Sequence, residues 1–121
     1  MSGSRSGWAV EFVPEFLAWW TGLDRPAQRA LGPSIELVER LGPALEFPHS
    51  SQIRGSAVGG MRELRVQHRG RPFRLLYAFD HRRVAVFLVG GDKGVDGRWY
   101  PRMIRRADLL FARHLEETGG S

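Results

Sequence analysis

The sequence predicts an α+β domain, in which a small antiparallel sheet carries two N-terminal helices packed on one face and a C-terminal helix. Three observations predict this class. Apolar residues follow helical spacing over most of residues 14–45, alternate with a period of two over residues 61–79, and return to helical spacing from Tyr100 onward. A chain of 121 residues is expected to form one domain. We expect this domain to span residues 8–117, between a disordered N-terminus (1–7) and a disordered tail (118–121).

The N-terminal part is predicted to form one strand and two helices. Residues 8–12 alternate as in a short strand, and Pro14 suits the first turn of a helix. Asp24 is a candidate N-cap for the second helix. We expect Gly32 and Pro33 to interrupt that helix, because proline lacks an N–H group and clashes with the preceding turn. Residues 44–60 are predicted to be mostly loop, with at most one turn near residues 51–54.

The C-terminal part is predicted to form three antiparallel strands and a helix. The strands cover residues 61–67, 73–79 and 84–89, and Gly90 and Gly91 are expected to end the third strand. Glu63, Arg65 and Arg74 point away from the apolar faces of their strands. With the helices packed on one face of the sheet, these polar side chains are expected to meet on the other, partly open face.

The charge distribution favours a polyanionic partner. The net charge is +5, and residues 54–113 contain thirteen Arg and one Lys against five acidic residues. Clustered positive charge in a chain that also contains four Trp and seven Phe is typical of nucleic-acid binding. We expect phosphate contacts from a set of arginines along the first hairpin and around the start of the last helix, namely Arg62, Arg69, Arg71, Arg98, Arg102, Arg105 and Arg106.

Several other classes of site are excluded or disfavoured. The chain has no cysteine, which excludes disulfides and Cys-based metal sites, and its four His are too far apart in sequence for a metal cluster. Residues 84–89 form the longest uncharged apolar run, far short of the roughly 20 residues of a transmembrane helix. No phosphate-binding loop or nucleophile elbow is present. We therefore expect a cytoplasmic protein that needs no metal or cofactor and does not bind membranes.

Six segments resemble the RelE/ParE superfamily of type II toxins, and they are most similar to its HigB-like, phage-derived branch. The central segments are residues 62–66 (RELRV), 71–79 (RPFRLLYAF), 87–93 (FLVGGDK) and 98–100 (RWY). Residues 12–20 and 107–115 resemble the same branch. The resemblance covers roughly residues 8–116, and it implies the α+β fold already derived from the patterns.

The resemblance implies a ribosome-dependent endoribonuclease that inhibits translation by cutting mRNA. Such an enzyme uses attack of the ribose 2′-OH on the adjacent phosphate and therefore needs no metal-bound nucleophile. By position, Arg74 matches an arginine that contacts the phosphate, and Glu63 and Arg65 match paired polar positions on the preceding strand. Lys93 matches a basic position after the third strand, and Tyr100 matches a tyrosine near the active site. The general base stays open between Glu63 and His68, whose unperturbed pKa is near 6.5.

Two alternative functions remain open at this stage. One is a ParE-like inhibitor of DNA gyrase with the same fold, and the other is a nucleic-acid-binding module without catalysis. The resemblance also implies a cognate antitoxin, expected to be a helix-turn-helix DNA-binding protein. The ribosome and mRNA would be the other partners, and operator DNA would be contacted only through the antitoxin.

Overall fold

Three α-helices and five strands make up the computed structural model, which describes residues 7–120. In chain order they are β1 (Ala9–Phe12), α1 (Pro14–Thr21), α2 (Arg25–Leu41), β2 (Ser50–Gln52), β3 (Arg62–His68), β4 (Arg71–Phe79), β5 (Val84–Asp92) and α3 (Trp99–Thr118). A short 3-10 turn, Gly42–Ala44, follows α2. The predicted α+β class is confirmed.

The five strands form one sheet in the order β1-β5-β4-β3-β2. The pairs β2–β3, β3–β4 and β4–β5 are antiparallel, whereas β1 adds to the edge of β5 in parallel. The β3–β4 connection contains Arg69 and Gly70, both with positive φ (52° and 76°). Two consecutive residues of this conformation match the twist of a tight hairpin. The sheet is therefore mostly antiparallel, and β4 and β5 lie in its buried centre.

The helices cover both faces of the sheet, which differs from the prediction that they pack on one face. Trp19 of α1 contacts the backbone of Gly90, and Trp99 of α3 contacts the backbone of Gly91. Successive residues of a strand point to opposite faces, so α1 and α3 lie on opposite sides of β5. The face expected to stay partly open is thus bordered by the first turn of α3.

The predicted strand end at Gly90 and Gly91 is wrong, because β5 continues to Asp92. A Cβ on Gly90 would overlap the Trp19 ring, and one on Gly91 would lie 3.0 Å from Trp99 Nε1. The Trp19 ring leaves no room for a side chain at Gly90, and Trp99 leaves little at Gly91, so the two glycines accommodate the indole rings and do not terminate the strand.

The predicted break of the second helix is also wrong. α2 runs without interruption through Pro33, which is exposed. A proline on the solvent side removes one hydrogen bond where the helix can bend away from the core. The buried stripe continues on both sides of it, through Ala27, Leu31, Ile35 and Val38. Burial of this stripe outweighs the local cost of the proline.

Two further boundaries differ from the prediction. The segment expected to be loop contains β2, a three-residue edge strand that pairs with β3. α3 extends to Thr118 and ends at Gly119, whose φ of 75° suits a helix C-cap. The predicted tail therefore starts inside the helix, and Ser121 and residues 1–6 lie outside the described residues. Between residues 7 and 120, none of the helices combines the length and apolar character needed to cross a membrane.

Candidate active site

Four polar side chains from three strands converge on the face of the sheet that α3 borders. Ser51 of β2 lies opposite Glu63 of β3, and Arg65 of β3 lies opposite Arg74 of β4. Tyr100, in the first turn of α3, reaches the same point. We call these five residues the Glu63 cluster.

Glu63 is the centre of this cluster and is 6% exposed. Its Oε1 accepts a hydrogen bond from the Tyr100 hydroxyl at 2.5 Å and lies 3.6 Å from Arg74 Nε. Its Oε2 accepts from the Ser51 hydroxyl at 2.8 Å and from Arg65 Nη1 at 3.2 Å. Each carboxylate oxygen is thus held by neighbours on two different elements, which gives the buried charge the partners it requires.

Arg65 and Arg74 would repel each other without this carboxylate, because like charges opposite each other in a sheet are unfavourable. Glu63 lies between the two guanidinium groups and offsets one of the two positive charges. The cluster keeps a net positive charge next to solvent, which suits an anionic ligand.

Arg74 is 7% exposed, and two hydrogen bonds orient its guanidinium group. Its Nε donates to the Tyr100 hydroxyl at 3.1 Å, and its Nη1 donates to the Phe73 carbonyl at 2.9 Å. Its Nη2 has no hydrogen-bond partner among residues 7–120, yet it is not a buried unsatisfied atom. The Nη2 edge of the guanidinium is therefore accessible and free to bind a ligand oxygen.

Tyr100 connects Arg74 to Glu63 through a single oxygen atom, which accepts from Arg74 and donates to Glu63. Burial raises the pKa of the Tyr100 hydroxyl, and the hydrogen bond to the Glu63 carboxylate raises it further. The hydroxyl is therefore protonated throughout the neutral range. Its ring packs edge-on against Trp99, with centroids 5.1 Å apart.

The structure brings four of the five predicted catalytic residues together, namely Glu63, Arg65, Arg74 and Tyr100. Lys93, the fifth, follows β5, and its N–H donates to the Pro72 carbonyl at 3.0 Å. It stands two residues beyond Gly91, which lies opposite Arg74. Lys93 thus lies near the cluster, but its side chain makes no hydrogen bond or ion pair with the described part of the chain.

The sequence did not point to Ser51. A short polar segment such as residues 50–52 carries no periodic pattern long enough to predict a strand. Only the pairing of β2 with β3 places the Ser51 hydroxyl against Glu63. The alternative base, His68, lies at the end of the β3–β4 hairpin beside Phe73 and outside the cluster.

The predicted phosphate-binding arginines divide into two groups. Arg62 lies on the other face of the sheet, where it donates to Ser50 Oγ and to the Leu45 carbonyl. The other six are exposed. Arg69 and Arg71 lie at the β3–β4 turn, where Arg71 pairs with Asp92 and lowers the pKa of that carboxyl. The remaining four surround the first half of α3, and they are Arg98, Arg102, Arg105 and Arg106.

Across residues 7–120, no group of three or more His, Cys, Asp or Glu side chains is placed to hold a metal ion. The chemistry available at the site is that of an anion-binding centre with hydroxyl and carboxylate groups. A fixed guanidinium can stabilise negative charge that develops on a phosphate. The tyrosine–carboxylate pair can accept and pass on a proton.

Comparison with solved structures shows which fold this is. The isolated E. coli RelE toxin has a TM-score of 0.57 and 18% identity over 81% of this chain and 97% of that chain. A chain of the intact E. coli RelBE toxin-antitoxin complex has a TM-score of 0.54 and 17% identity over 70% and 95%. The fold and the clustered site thus define a small basic protein of the RelE-like class.

Sequence comparison identifies the family within that class. Residues 18–112 match the family described as phage-derived protein Gp49-like (DUF891). Two proteins of Mycobacterium tuberculosis named as candidate toxins are similar over most of this chain. HigB2 is 41% identical over 92% of this chain and 56% of its own length. HigB3 is 39% identical over 93% of this chain and 98% of its own length. The chain therefore spans about half of HigB2 and nearly all of HigB3.

The chain belongs to the phage-derived Gp49-like family, in which it is a HigB-like type II toxin with a RelE-like fold.

Proposed function

We propose that this toxin is a metal-independent endoribonuclease that cleaves mRNA on the ribosome. The observation that carries the proposal is the Glu63 cluster, in which an accessible guanidinium edge, a protonated tyrosine and a buried carboxylate share one hydrogen-bond network. A protein that only binds nucleic acid needs phosphate contacts, but it does not need a buried proton-transfer pair beside them.

The proposed reaction is an in-line displacement at phosphorus. The ribose 2′-oxygen forms a bond to the adjacent phosphorus while the bond from phosphorus to the 5′-oxygen breaks. The 2′-hydroxyl loses its proton and the 5′-oxygen gains one, so the products are a 2′,3′-cyclic phosphate and a 5′-hydroxyl. The protein must supply a base, an acid and stabilisation of the charge on the phosphate oxygens.

Arg74 is the proposed stabiliser of that charge. Its Nε and Nη1 are held by Tyr100 and Phe73, which leaves Nη2 available to donate to a phosphate oxygen. Because the guanidinium is already oriented before substrate binds, it does not have to reorganise as charge develops. Arg65, which is only partly buried, would add a second positive charge on the same side.

Tyr100 and Glu63 are the proposed base, acting as a pair. The Tyr100 oxygen would take the proton of the 2′-hydroxyl as its own proton passes to Glu63 Oε1, 2.5 Å away. A relay of this kind avoids a free tyrosinate, which the raised pKa of Tyr100 disfavours. Lys93 is the proposed donor of the proton to the departing 5′-oxygen.

The experiment that tests the proposal is in vitro translation of a defined mRNA with purified toxin, followed by primer extension. We expect discrete cuts that appear only when ribosomes are present, each ending in a 2′,3′-cyclic phosphate. Intact mRNA and normal translation would contradict the proposal. Inhibition of DNA gyrase in a supercoiling assay would then favour the gyrase alternative.

Replacement of Arg74 tests its assigned role in that assay. We expect Arg74→Ala to lower the cleavage rate roughly 100-fold or more, the scale of losing one preorganised donor. Arg74→Lys keeps the charge but loses the fork of donors, and it should recover only part of the rate. Arg40→Ala, an exposed arginine of α2, is the matched control. Equal rates for Arg74→Ala and Arg40→Ala would refute the role.

We further propose a cognate antitoxin as partner. The support is the family of the chain together with its similarity in fold to RelE, which is solved in a toxin-antitoxin complex. The expected antitoxin is a helix-turn-helix protein that links the toxin to operator DNA. Co-purification of the toxin with the product of an adjacent gene would test this partnership.

A further inference from the structure

A cleft of about 460 Å³ is lined by Tyr100 of the Glu63 cluster and by six residues outside that cluster. One side is formed by Arg54 and Gly55, from the loop that joins β2 to β3. The other side is formed by α3 residues, including Pro101, Ile104 and Arg105. Arg54 was not among the residues that the sequence pattern selected, because it lies in a segment expected to be loop.

The loop that forms one wall is attached to α3 by a single carboxylate. Asp108 Oδ1 accepts the Ser56 hydroxyl at 2.5 Å, and Asp108 Oδ2 accepts the Ala57 N–H at 2.9 Å. The loop also contains three glycines, Gly55, Gly59 and Gly60, whose backbone is easily displaced. Asp108 therefore ties the segment that directly follows Arg54 to α3.

The lining has the chemistry that a nucleotide requires. Arg54 from the loop and Arg105 from α3 are exposed arginines that line the cleft, and Pro101 and Ile104 contribute apolar atoms to the same lining. Asp108 also lines the cleft, and both of its oxygens accept hydrogen bonds from the loop, which partly satisfy its charge. Proteins bind single-stranded nucleic acid through positive charge along its backbone and through side chains that stack on its bases.

We propose that this cleft is a subsite for the RNA nucleotide adjacent to the cleaved bond. Arg54 and Arg105 hold its phosphate, its base lies against Pro101 and Ile104, and Asp108 is a positioning residue that sets the width of the cleft. The inference rests on the proposed function for the location of the cleaved bond at Tyr100. Binding of RNA in the cleft does not itself require cleavage, so the two can be tested separately.

Binding is measured first, by fluorescence anisotropy with a short labelled single-stranded RNA whose 2′-hydroxyls are methylated to prevent cleavage. We expect Arg54→Gln to weaken binding about 10-fold, the scale of one charged hydrogen bond (about 1.4 kcal/mol). Asp108→Ala should weaken it several-fold, and Asp108→Asn should weaken it less because the amide oxygen can still accept from Ser56. Arg29→Gln, an exposed arginine of α2, should bind as the unmodified protein does.

Cleavage is measured next, on ribosomes, with the same variants. Arg54→Gln and Asp108→Ala should raise KM more than they lower kcat and should alter which positions of the mRNA are cut. A purely structural loss would lower the thermal stability of Asp108→Ala and leave the cutting positions unchanged, which would overturn the positioning role.

The two proposals fail in different ways. If Arg54→Gln binds RNA as Arg29→Gln does and cuts at unchanged positions, the subsite is refuted while the nuclease stands. If the unmodified protein binds RNA through Arg54 but leaves mRNA intact on ribosomes, the nuclease is refuted while the RNA subsite stands.

Discussion

Glu63 illustrates how the environment of one side chain decides its role. The sequence left it as one of two candidates for the general base, beside His68. In the structure it contacts both arginines and accepts from Tyr100 and Ser51 as well. A carboxylate with so many donors is not directly available to a substrate hydroxyl, and for this reason we propose that it acts through the Tyr100 hydroxyl.

The tyrosine hydroxyl provides a test at the scale of one atom. Tyr100→Phe removes the relay but keeps the ring against Trp99, so we expect cleavage to slow by roughly 10²–10⁴-fold, as for loss of a general base. Single-turnover cleavage on programmed ribosomes measures this rate. Tyr77→Phe is a matched control, since within residues 7–120 its hydroxyl hydrogen-bonds only to Ser50, in the core and on the other face.

The control variant, Tyr77→Phe, should lower the stability of the fold and leave the cleavage rate unchanged. Loss of the Tyr77 hydroxyl removes one buried hydrogen bond, so we expect a decrease of about 1 kcal/mol in the free energy of unfolding. If Tyr100→Phe and Tyr77→Phe cleave at the same rate, the relay is wrong.

At the scale of elements, contacts between elements override the local signals of proline and glycine. Pro33 does not end α2, because the buried residues on both sides of it share one stripe. Gly90 does not end β5, because its missing side chain makes room for Trp19. Neither outcome can be read from residues close in sequence, since the deciding contacts come from other elements.

The contacts that attach α3 to the β4–β5 turn predict how the stability of the fold depends on pH in the acid range. Asp80, whose side chain is fully buried, lies 2.8 Å from His114 Nε2 and 2.6 Å from Arg82 Nη2. Burial raises the pKa of Asp80, but hydrogen bonds from His114, Arg82 and Val84 outweigh it and lower the pKa to about 2. A lowered pKa stabilises the fold above the ordinary value of 3.8, and this stabilisation is lost as the pH falls toward 2.

Urea unfolding of Asp80→Asn measures this contribution. We expect a loss of roughly 2–3 kcal/mol at pH 7, because the variant removes a buried charge that accepts hydrogen bonds from His114, Arg82 and Val84. The difference in the free energy of unfolding between Asp80→Asn and the unmodified protein should decrease as the pH falls from about 4 to about 2. Asp96→Asn, in an exposed pair with Arg102, should cost less than about 1 kcal/mol. A constant difference across that pH range would contradict the assignment.

At the scale of the whole molecule, positive charge is concentrated on one side of the site. The exposed arginines of the first half of α3 lie next to Tyr100, and Arg54 faces them across the cleft. Such a distribution raises the local concentration of a polyanion near the cluster. It also makes RNA binding depend on salt, because each phosphate contact releases a counterion.

Replacing arginines on one surface at a time shows which surface causes the salt dependence of RNA binding. Replacing Arg102, Arg105 and Arg106 by Gln should reduce the slope of log Kd against log salt for single-stranded RNA by roughly 2, at about 0.7 per lost phosphate contact. Replacing Arg25, Arg29 and Arg40 of α2 removes the same charge from another surface and should leave the slope nearly unchanged. Equal slopes for the two triple variants would show that net charge alone governs binding.

Sequence patterns alone predict the α+β class, most of the strands and helices, and four residues that the structure brings together in the Glu63 cluster. They do so because alternation along β3 and β4 directs Glu63, Arg65 and Arg74 to one face, and because the resemblance covers the segment that contains Tyr100. Three features are visible only in the folded chain: α3 lies on the opposite face from α1, Ser51 joins the cluster, and Asp108 ties the loop after Arg54 to α3. These features depend on contacts between residues far apart in the chain, and such contacts leave no periodic pattern in the sequence.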